Sequence, residues 1–190
     1  MRRLYIFDFD GTITKKDSFI LFTFYSVSIG KFVYFWMKTL VLYSFLPKGR
    51  LKEGFFNYFR NNSSEKFNAM CNEFFEKKVK KTIKPSFIEF IKGIERENSV
   101  IEVVSASVEN YLKPWCDEMS FNLISTELEI VDEKLTGRFS TPNCNGKEKV
   151  KRIKQKYNLS EYDEIHVFGN SKGDIPMLEL GTHCYYNFFK

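Results

Sequence analysis

Residues that could form disulfides or bind zinc, as in a small secreted domain, are scarce in this sequence. Its 190 residues include four cysteines and two histidines. No two cysteines stand at C-x-x-C spacing, and His166 and His183 fit no zinc pattern. We therefore expect reduced, buried thiols, with neither a disulfide framework nor a structural zinc site.

The sequence also lacks internal repeats, low-complexity stretches and a segment apolar enough to cross a bilayer. A transmembrane helix needs about 20 consecutive apolar residues, whereas the longest uncharged run of the most apolar region, residues 18–30, is shorter and contains Ser and Thr. A lysine at mid-bilayer would add roughly 2.5 to 3.5 kcal/mol to the cost of insertion. These absences exclude a repeat array and predict no transmembrane helix.

Apolar and aromatic residues, by contrast, are abundant. Hydrophobic residues make up 43% and aromatic residues 17%, enough for one buried core with a small inserted unit and too many for a disordered chain. The formal charge of +5 fits an anionic partner and, equally, a solvated lysine-rich surface. The start "MRRLYIFDFDGT" runs straight into a strand pattern and has no signal-peptide character, so we expect a cytoplasmic protein.

Apolar runs alternate with helical periodicity along much of the chain. Three runs end in polar side chains: "RLYIFDFD", "NSVIEVVSAS" and "YDEIHVFGNS". Helical patterns cover residues 85–97, 108–118 and 147–157. This alternation predicts an α/β fold with a doubly wound, Rossmann-like parallel sheet. Residues 127–140 predict a hairpin that turns near residues 132–134, and "HCYYNF" predicts a last strand.

Residues 15–84 differ from the rest because they show aromatic and helical patterns but no convincing strand bounded by glycine. We interpret them as an inserted all-helical cap, with breaks expected near Gly30 and Pro47. The core is then formed by residues 1–14 and 85–190, since the insertion returns the chain to the same sheet.

The first strand ends in "DFDGT", which places two carboxylates two positions apart. In an open parallel sheet, ligands bind beyond the carboxyl ends of the strands, where loops from distant parts of the sequence meet. Asp8 and Asp10 therefore suit metal binding or acid–base chemistry, and the capping of a turn is the structural alternative. Gly11 and Thr12 let the backbone turn tightly over a ligand.

The two later strands end in groups that can bind anions or cations. Ser105 and Ala106 precede a helix N-terminus, which attracts phosphate, although Ser107 is also a good ordinary N-cap. The stretch "GNSKGD" offers the Asn170 amide and the Asp174 carboxylate as ligands of a hard cation or as partners of such ligands. An Asn/Gly loop with a helix cap is the alternative for this stretch.

Three lysines, Lys147, Lys149 and Lys151, stand in the first turns of a predicted helix, where cations oppose the helix dipole. A bound anion would explain this placement, and a solvated basic face would explain it equally well.

These four motifs, in this order, resemble those of the haloacid dehalogenase-like superfamily, in particular its phosphoserine-phosphatase-like branch with a helical cap. The resemblance spans the whole chain and implies a Mg²⁺-dependent phosphatase that forms an aspartyl-phosphate. It implies that Asp8 is the nucleophile and that Asp10 is the general acid and then the base. Lys149, at G-x-x-K spacing from Gly146, is then the cation that neutralises the nucleophile and the phosphoryl group.

The resemblance also implies binding roles for other positions. The expected phosphate contacts are Thr12, Ser105, the Ala106 N–H and Lys149. The expected magnesium site comprises Asp8, Asp10 through its carbonyl oxygen, Asn170 and Asp174. Many family members carry Asp in place of Asn170, so we expect weaker binding of Mg²⁺ here. A catalytically weak or inactive module that binds phosphate or associates with membrane stays open as the alternative.

The apolar insertion leaves two hypotheses for the substrate. Between residues 18 and 47 its only charges are Lys31 and Lys38, and the basic stretch "KGRLK" follows. In one hypothesis this region packs over the active-site mouth and the substrate is a phosphorylated small molecule, such as a phosphoamino acid. In the other it lies peripherally on the inner face of an anionic membrane and admits a phospholipid head group.

The second hypothesis fits a layout that is similar to the phosphatidylglycerophosphatase C family. Nucleic acid is a disfavoured partner, since the aromatic residues cluster in apolar runs and do not alternate with Lys and Arg.

Overall fold

The structure, a computed structural model, describes residues 1–42 and 48–190. Its strands are β1 (Arg3–Asp8), β2 (Ser99–Val108), β3 (Asn122–Thr126), β4 (Leu128–Val131), β5 (Lys134–Phe139), β6 (Glu164–Gly169) and β7 (His183–Tyr186). Its helices are α1 (Ser18–Ser26), α2 (Ile29–Leu42), α3 (Lys48–Phe56), α4 (Ser64–Phe74), α5 (Pro85–Lys92), α6 (Glu109–Glu118), α7 (Lys147–Lys156) and α8 (Ile175–Leu178).

Five strands form one parallel sheet in the order β3-β2-β1-β6-β7. The chain winds outward from β1 in both directions, so the order reverses at β1, and the crevice beyond its carboxyl end is where such sheets bind ligands. The predicted doubly wound α/β core is therefore confirmed.

Alternate residues of β1 enter two buried clusters on opposite faces of the sheet. Leu4 and Ile6 face one cluster, which includes residues of α7 and α8. Tyr5 and Phe7 face the other, which includes residues of α5 and α6, and Phe7 stacks on Phe168 of β6 with ring centroids 4.6 Å apart. A strand that is buried on both faces has a nearly continuous apolar sequence, which explains the run of apolar residues in "RLYIFD".

The predicted hairpin and the last strand are confirmed as β4 with β5 and as β7. Asp132 and Glu133 form the hairpin turn with positive φ angles of 49° and 59°. Strand β3 was not predicted. Helix α5 ends at Lys92, not at residue 97, because Gly93 ends the helix and the charged residues after it are exposed. The predicted burial of all four thiols is wrong for Cys184, which is exposed.

Residues 15–84, here called the helical insertion, leave and re-enter the core at adjacent points. Thr14 and Ile83 form an antiparallel bridge. Beside it, the Lys15 N–H donates to the Thr82 carbonyl over 2.8 Å and the Lys84 N–H donates to the Ile13 carbonyl over 2.9 Å. The described part of the insertion contains α1 to α4 and no strand.

The helix break expected near Gly30 occurs at residues 27–28, between α1 and α2. The break expected at Pro47 lies outside the described residues. Within the part of the chain that the structure describes, no helix combines the length and the apolar character needed to cross a membrane.

The β4–β5 hairpin, which the sequence places in the core, packs against the helical insertion. The Asn61 N–H donates to the Leu135 carbonyl over 2.8 Å, and the Leu135 N–H donates to the Asn62 carbonyl over 3.0 Å. The Phe139 N–H donates to a Glu53 carboxylate oxygen over 2.9 Å. The insertion is thus helical in itself but is extended by a hairpin from the second half of the chain.

An aromatic cluster joins the helical insertion to the core. Phe22 of α1 is fully buried and contacts Phe55, Phe56 and Phe74 of the insertion. It also contacts Tyr111 of α6, with ring centroids 5.4 Å apart. Burial of such rings is a large favourable contribution to folding, so Phe22 couples the two parts.

Phe22→Ala is expected to lower the free energy of unfolding by about 3–5 kcal/mol, because it opens a cavity inside this cluster. Phe24→Ala is the matched control on the same helix, since Phe24 is 57% exposed, and it should cost less than about 1 kcal/mol. Urea unfolding followed by circular dichroism measures both values. Equal losses for the two variants would contradict the packing described here.

Candidate active site

Asp8 lies at the carboxyl end of β1, and both of its carboxylate oxygens are held by side chains. Oδ1 accepts a hydrogen bond from Lys149 Nζ over 2.6 Å, and Oδ2 accepts one from Thr12 Oγ1 over 2.9 Å. The chain turns sharply after Asp8, with Gly11 at φ 84°. Lys84 Nζ donates to the Gly11 carbonyl over 2.6 Å, which fixes this turn to the end of the helical insertion.

Lys149 reaches Asp8 from the first turn of α7 and is only 1% exposed. Its Nζ also donates to Asp174 Oδ1 over 2.7 Å, so one ammonium group lies between two carboxylates. Burial alone would lower the pKa of Lys149, but the two carboxylates outweigh it and raise the pKa, so the amine stays charged. For Lys149 the alternative of a solvated basic face is wrong, because its ammonium group is buried and bonds to two aspartates.

Burial raises the pKa of Asp8 to about 6, with a further rise from Asp174 and an opposing effect of Lys149. Burial would also raise the pKa of Asp174, but Lys149 and the hydrogen bonds from Ser171 hold it below its ordinary value. At neutral pH the buried cluster therefore consists of one cation and two carboxylates.

The Asp10 carboxylate is held by one residue of the helical insertion and one residue of the core. Its Oδ1 accepts a hydrogen bond from the Ser18 N–H of α1 over 2.7 Å, and its Oδ2 accepts one from Ser107 Oγ over 2.6 Å. Burial and the nearby Asp17 carboxylate raise the pKa of Asp10, although Lys52 and Ser107 act in the opposite direction. A carboxyl group with a raised pKa can hold a proton closer to neutral pH.

The "GNSKGD" stretch forms a capping box that orients Asp174. Asp174 Oδ2 accepts from the Ser171 N–H over 2.9 Å and from Ser171 Oγ over 2.6 Å. The Asn170 side chain packs against Gly11, where an added Cβ would lie 2.0 Å from the amide nitrogen. Glycine is favoured at position 11 because its φ of 84° is rare for other residues, and a side chain there would also displace the Asn170 amide.

These groups line a cavity of about 380 Å³ at the carboxyl end of the sheet. The lining residues are Asp8, Asp10, Gly11, Asp17, Lys52, Ala106, Asn143, Asn145, Lys149, Asn170, Ser171 and Asp174. Six of the eight predicted site residues, Ala106 among them, therefore meet in one cavity.

The family model of haloacid dehalogenase-like hydrolases matches residues 5–179 of the chain. The chain belongs to this family. A curated relative, Protein CicA of Caulobacter vibrioides, is 26% identical over 195 residues, which cover 98% of this chain and 86% of CicA.

The fold of this hydrolase also resembles solved structures. One is a protein of unknown function from Bordetella pertussis Tohama I, with a TM-score of 0.82, 22% identity and coverage of 96% of this chain and 88% of that one. Another is a phospho-aspartyl intermediate analogue of phosphoserine phosphatase, with a TM-score of 0.66, 16% identity and coverage of 95% and 83%. The predicted superfamily is confirmed, and the fold agrees with the predicted branch.

Two residues of the hydrolase that were predicted to contact phosphate point elsewhere. The Thr12 hydroxyl donates a hydrogen bond to the Asp8 carboxylate. Ser105 is 1% exposed, its Oγ accepts from the Ser107 N–H over 3.0 Å, and it does not line the cavity. The interpretation of Ser107 as an N-cap is wrong, because Val108 occupies the N-cap position and the Ser107 hydroxyl turns to Asp10.

Sequence reasoning missed four residues that line the cavity: Asp17, Lys52, Asn143 and Asn145. Lys52, on α3, donates from Nζ to the Ala106 carbonyl over 3.5 Å and lies over the Phe19 ring at 5.2 Å. Its position in "KGRLK" gave no sign of this, because a basic run is typical of a solvated surface.

The donor set of this hydrolase fits a hard divalent cation that keeps several waters. The cavity presents carboxylate and amide oxygens, and it has no thiol or imidazole. Among the residues that the structure describes, no group of three or more His, Cys, Asp or Glu could hold a metal ion by itself. Mg²⁺ does not require one, since it is commonly bound by one or two carboxylates together with substrate phosphate and water.

Lys149→Met is expected to lower the free energy of unfolding at pH 7 by about 3–5 kcal/mol in metal-free buffer, because it leaves two buried carboxylates without their cation. Lys149 lowers the pKa of Asp8, so in the variant that pKa rises further. Stability lost at pH 7 is then partly regained as the pH falls towards 5 and the carboxylates take up protons.

Lys147→Met, an exposed change on the same helix, should leave the unfolding curve unchanged at both pH values. Urea unfolding of the three proteins at the two pH values makes this measurement. A deficit for Lys149→Met that stays constant between pH 7 and pH 5 would contradict the charge arrangement.

Proposed function

We propose that this hydrolase cleaves phosphomonoesters by Mg²⁺-dependent transfer of the phosphoryl group to Asp8. The observation that carries this proposal is the contact between Asp8 and Lys149 at 2.6 Å, at the wall of a cavity that also contains Asp10, Asp17 and Asp174. A carboxylate repels a phosphate dianion, so attack on phosphorus requires cations between them. The similar fold of a solved phospho-aspartyl intermediate analogue of phosphoserine phosphatase supports the same chemistry here.

Asp8 is held in a single orientation for attack. Thr12 and Lys149 each occupy one of its carboxylate oxygens, and the hydrogen bond from Lys149 offsets the charge that accumulates beside the phosphoryl group. The attacking oxygen forms a bond to phosphorus as the bond from phosphorus to the ester oxygen breaks. The Ala106 N–H is the backbone donor that we assign to the phosphate, since Ala106 lines the cavity and Ser105 does not.

Asp10 supplies the proton that the leaving oxygen needs. Its raised pKa favours a protonated carboxyl group, and the Ser18 N–H and Ser107 Oγ hold it in place. In the second step the same carboxylate takes a proton from the water that attacks phosphorus, the bond from phosphorus to the Asp8 oxygen breaks, and inorganic phosphate leaves. Such acid–base help contributes roughly 10²- to 10⁴-fold to the rate.

We assign Asp8, the Asp10 carbonyl and Asn170 to the Mg²⁺ site. When bound, the ion would neutralise phosphate charge and orient the phosphoryl group. Asp174 lines the same cavity and is assigned to this site as well, and its hydrogen bonds with Lys149 and Ser171 also position the Lys149 ammonium group. The neutral Asn170 amide gives the site one negative charge fewer than an aspartate would, which favours a modest affinity for Mg²⁺.

The helical insertion, residues 15–84, serves in this proposal as a cap that selects the substrate. It contributes Asp17 and Lys52 to the cavity wall. A cavity of about 380 Å³ suits a phosphorylated small molecule or the head group of a phospholipid. The positive charge of Lys52 favours substrates with an anionic group near the phosphate.

Asp8→Asn should abolish Mg²⁺-dependent hydrolysis of p-nitrophenyl phosphate, because the amide cannot form the aspartyl-phosphate. Asp163→Asn, an exposed change at the far side of the sheet, is the matched control and should retain full activity. Acid-quenched wild type should carry the phosphoryl group on the peptide that contains Asp8.

Undiminished turnover by Asp8→Asn would refute the mechanism. An inactive wild type that still binds phosphate would instead favour a non-catalytic phosphate-binding module.

A second proposal is that this protein contacts an anionic membrane peripherally through α2. Ile29, Val33, Tyr34 and Met37 lie on one side of this helix and are 50% to 73% exposed. The opposite side packs inward, with Phe35 against Phe55. A surface helix normally presents polar residues outward, so an apolar outer face favours an apolar partner.

The charge of the insertion fits such a surface. Residues 15–84 contain 14 Lys and Arg but five Asp and Glu, a formal charge of +9, whereas the rest of the chain carries −4. Basic segments are attracted to anionic lipid by about 1 kcal/mol per residue close to the surface. This distribution supports a phospholipid head group as one class of substrate.

Wild-type protein should float with vesicles that contain phosphatidylglycerol, and Val33→Asp should reduce the bound fraction several-fold because it places a charge on the apolar face. Val131→Asp is the matched control, since Val131 is 53% exposed and Val33 is 50% exposed. Equal binding by both variants, or no binding by wild type, would remove the membrane proposal without affecting the phosphatase proposal.

A further inference from the structure

A second cavity lies between α3 and the β4–β5 hairpin. Its volume is about 710 Å³, larger than the 380 Å³ of the catalytic cavity, and the two share no lining residue. Three of its lining residues are arginines: Arg50, Arg60 and Arg138. We call this cavity the arginine groove.

The three guanidinium groups of the arginine groove have no partner among the residues that the structure describes. No hydrogen bond, ion pair or ring contact of these three side chains is found there. The other arginines are all engaged: Arg2 with Glu161, Arg3 with Glu164, Arg152 with Glu148, and Arg96 over the Phe121 ring. The unpartnered arginines of the described chain are thus concentrated in one groove.

The groove contains little negative charge to balance them. Glu53 is its one acidic residue, and one of its carboxylate oxygens already accepts the Phe139 N–H over 2.9 Å. The three arginines are exposed to solvent, so an anion from solution can reach their unpaired guanidinium groups. Asn57 and Thr136 add an amide and a hydroxyl to the same surface.

The walls of the groove are fixed relative to each other. Gly137 has a φ of 83°, and a Cβ added there would lie 2.8 Å from Asn57 Cα, so glycine permits the close approach of β5 to the chain after α3. The backbone hydrogen bonds between Asn61, Asn62 and Leu135 hold the same junction. The backbone positions from which Arg60 and Arg138 extend are therefore fixed relative to each other, so no rearrangement of the two elements is needed when a ligand binds.

We propose that the arginine groove binds a phosphate-bearing anion at a site separate from the catalytic cavity. Guanidinium groups match phosphate geometry with paired N–H donors, and three of them can surround one phosphate. The phosphate can belong to a lipid head group or to a free phosphate compound. The assignment rests on the groove alone and holds whether or not Asp8 is a nucleophile.

The test is a titration of ¹⁵N-labelled full-length protein with inorganic phosphate, followed by amide chemical shifts. The Asn57, Gly137 and Arg138 amides should shift in a saturable way. Arg60→Gln/Arg138→Gln should weaken that binding by roughly tenfold or more, since each lost charge-assisted contact has about that effect. Arg96→Gln, an exposed arginine outside the groove, should bind phosphate as wild type does.

The amides of Ala106 and Asn170 report on the catalytic cavity in the same titration. Shifts at these positions without shifts in the groove would overturn the groove site and leave the phosphatase proposal intact. Equal groove shifts in wild type and in the double variant would overturn it as well. The single variants Arg60→Gln and Arg138→Gln, measured separately, secure the result if the double variant does not fold.

If the groove binds phosphate, vesicle flotation distinguishes a lipid head group from a free phosphate compound as the ligand. Flotation with phosphatidylglycerol vesicles, with phosphatidylcholine vesicles as the neutral comparison, is measured for wild type and the double variant. Loss of binding to the anionic vesicles in the double variant assigns a lipid head group. Unchanged vesicle binding, together with loss of phosphate-dependent shifts, assigns a free phosphate compound.

Discussion

The ammonium group of Lys149, buried between Asp8 and Asp174, is the interaction on which the rest of this structure depends. Two carboxylates at the ends of different strands repel each other, and burial strengthens that repulsion. One cation bonded to both at 2.6 and 2.7 Å allows β1, β6 and α7 to meet at one edge of the sheet. The same cation prepares the cavity for a phosphate, since it reduces the negative charge that an incoming anion encounters.

A second constraint connects the helical insertion to this cluster. Asp10 is bonded by the Ser18 N–H at the start of α1 and by Ser107 at the end of β2. The position of the first helix of the insertion is therefore set by a carboxylate of the cavity. The aromatic cluster around Phe22 supports the same junction from the apolar side, so electrostatic and packing forces locate the insertion together.

The features that local sequence determines could be predicted, whereas those that depend on the path of the insertion could not. The strand ends follow from apolar runs that stop at polar residues, and the meeting of Asp8 with Lys149 was implied by the resemblance of the four motifs to the haloacid dehalogenase-like superfamily. Strand β3 was missed because "NLIST" is short and follows a turn at Ser120 that has no glycine or proline. Ser107 was misassigned because a serine before a helix is typical of an N-cap.

Lys52 could not be placed in the cavity from sequence, since its contact with Ala106 spans 54 positions and depends on how α3 packs. The attachment of the β4–β5 hairpin to the insertion is likewise a long-range pairing. Such long-range contacts leave no local sequence pattern, because the residue types around one partner do not indicate where the other partner lies in the chain. The hydrogen bonds across the hairpin junction run largely between backbone groups.

The bridge between Thr14 and Ile83 has a consequence for how proteins of this architecture diverge. Because the chain leaves and re-enters the core at adjacent positions, the intervening segment is a loop whose two ends are joined. The entropy of closing a loop grows slowly with its length, so a change in the length of the middle of this segment has little entropic cost for the sheet. Lys84, the last residue of the insertion, bonds the Gly11 carbonyl, and Ser18 near its start bonds Asp10. A changed segment therefore has to keep these two contacts, whereas its middle can differ in length.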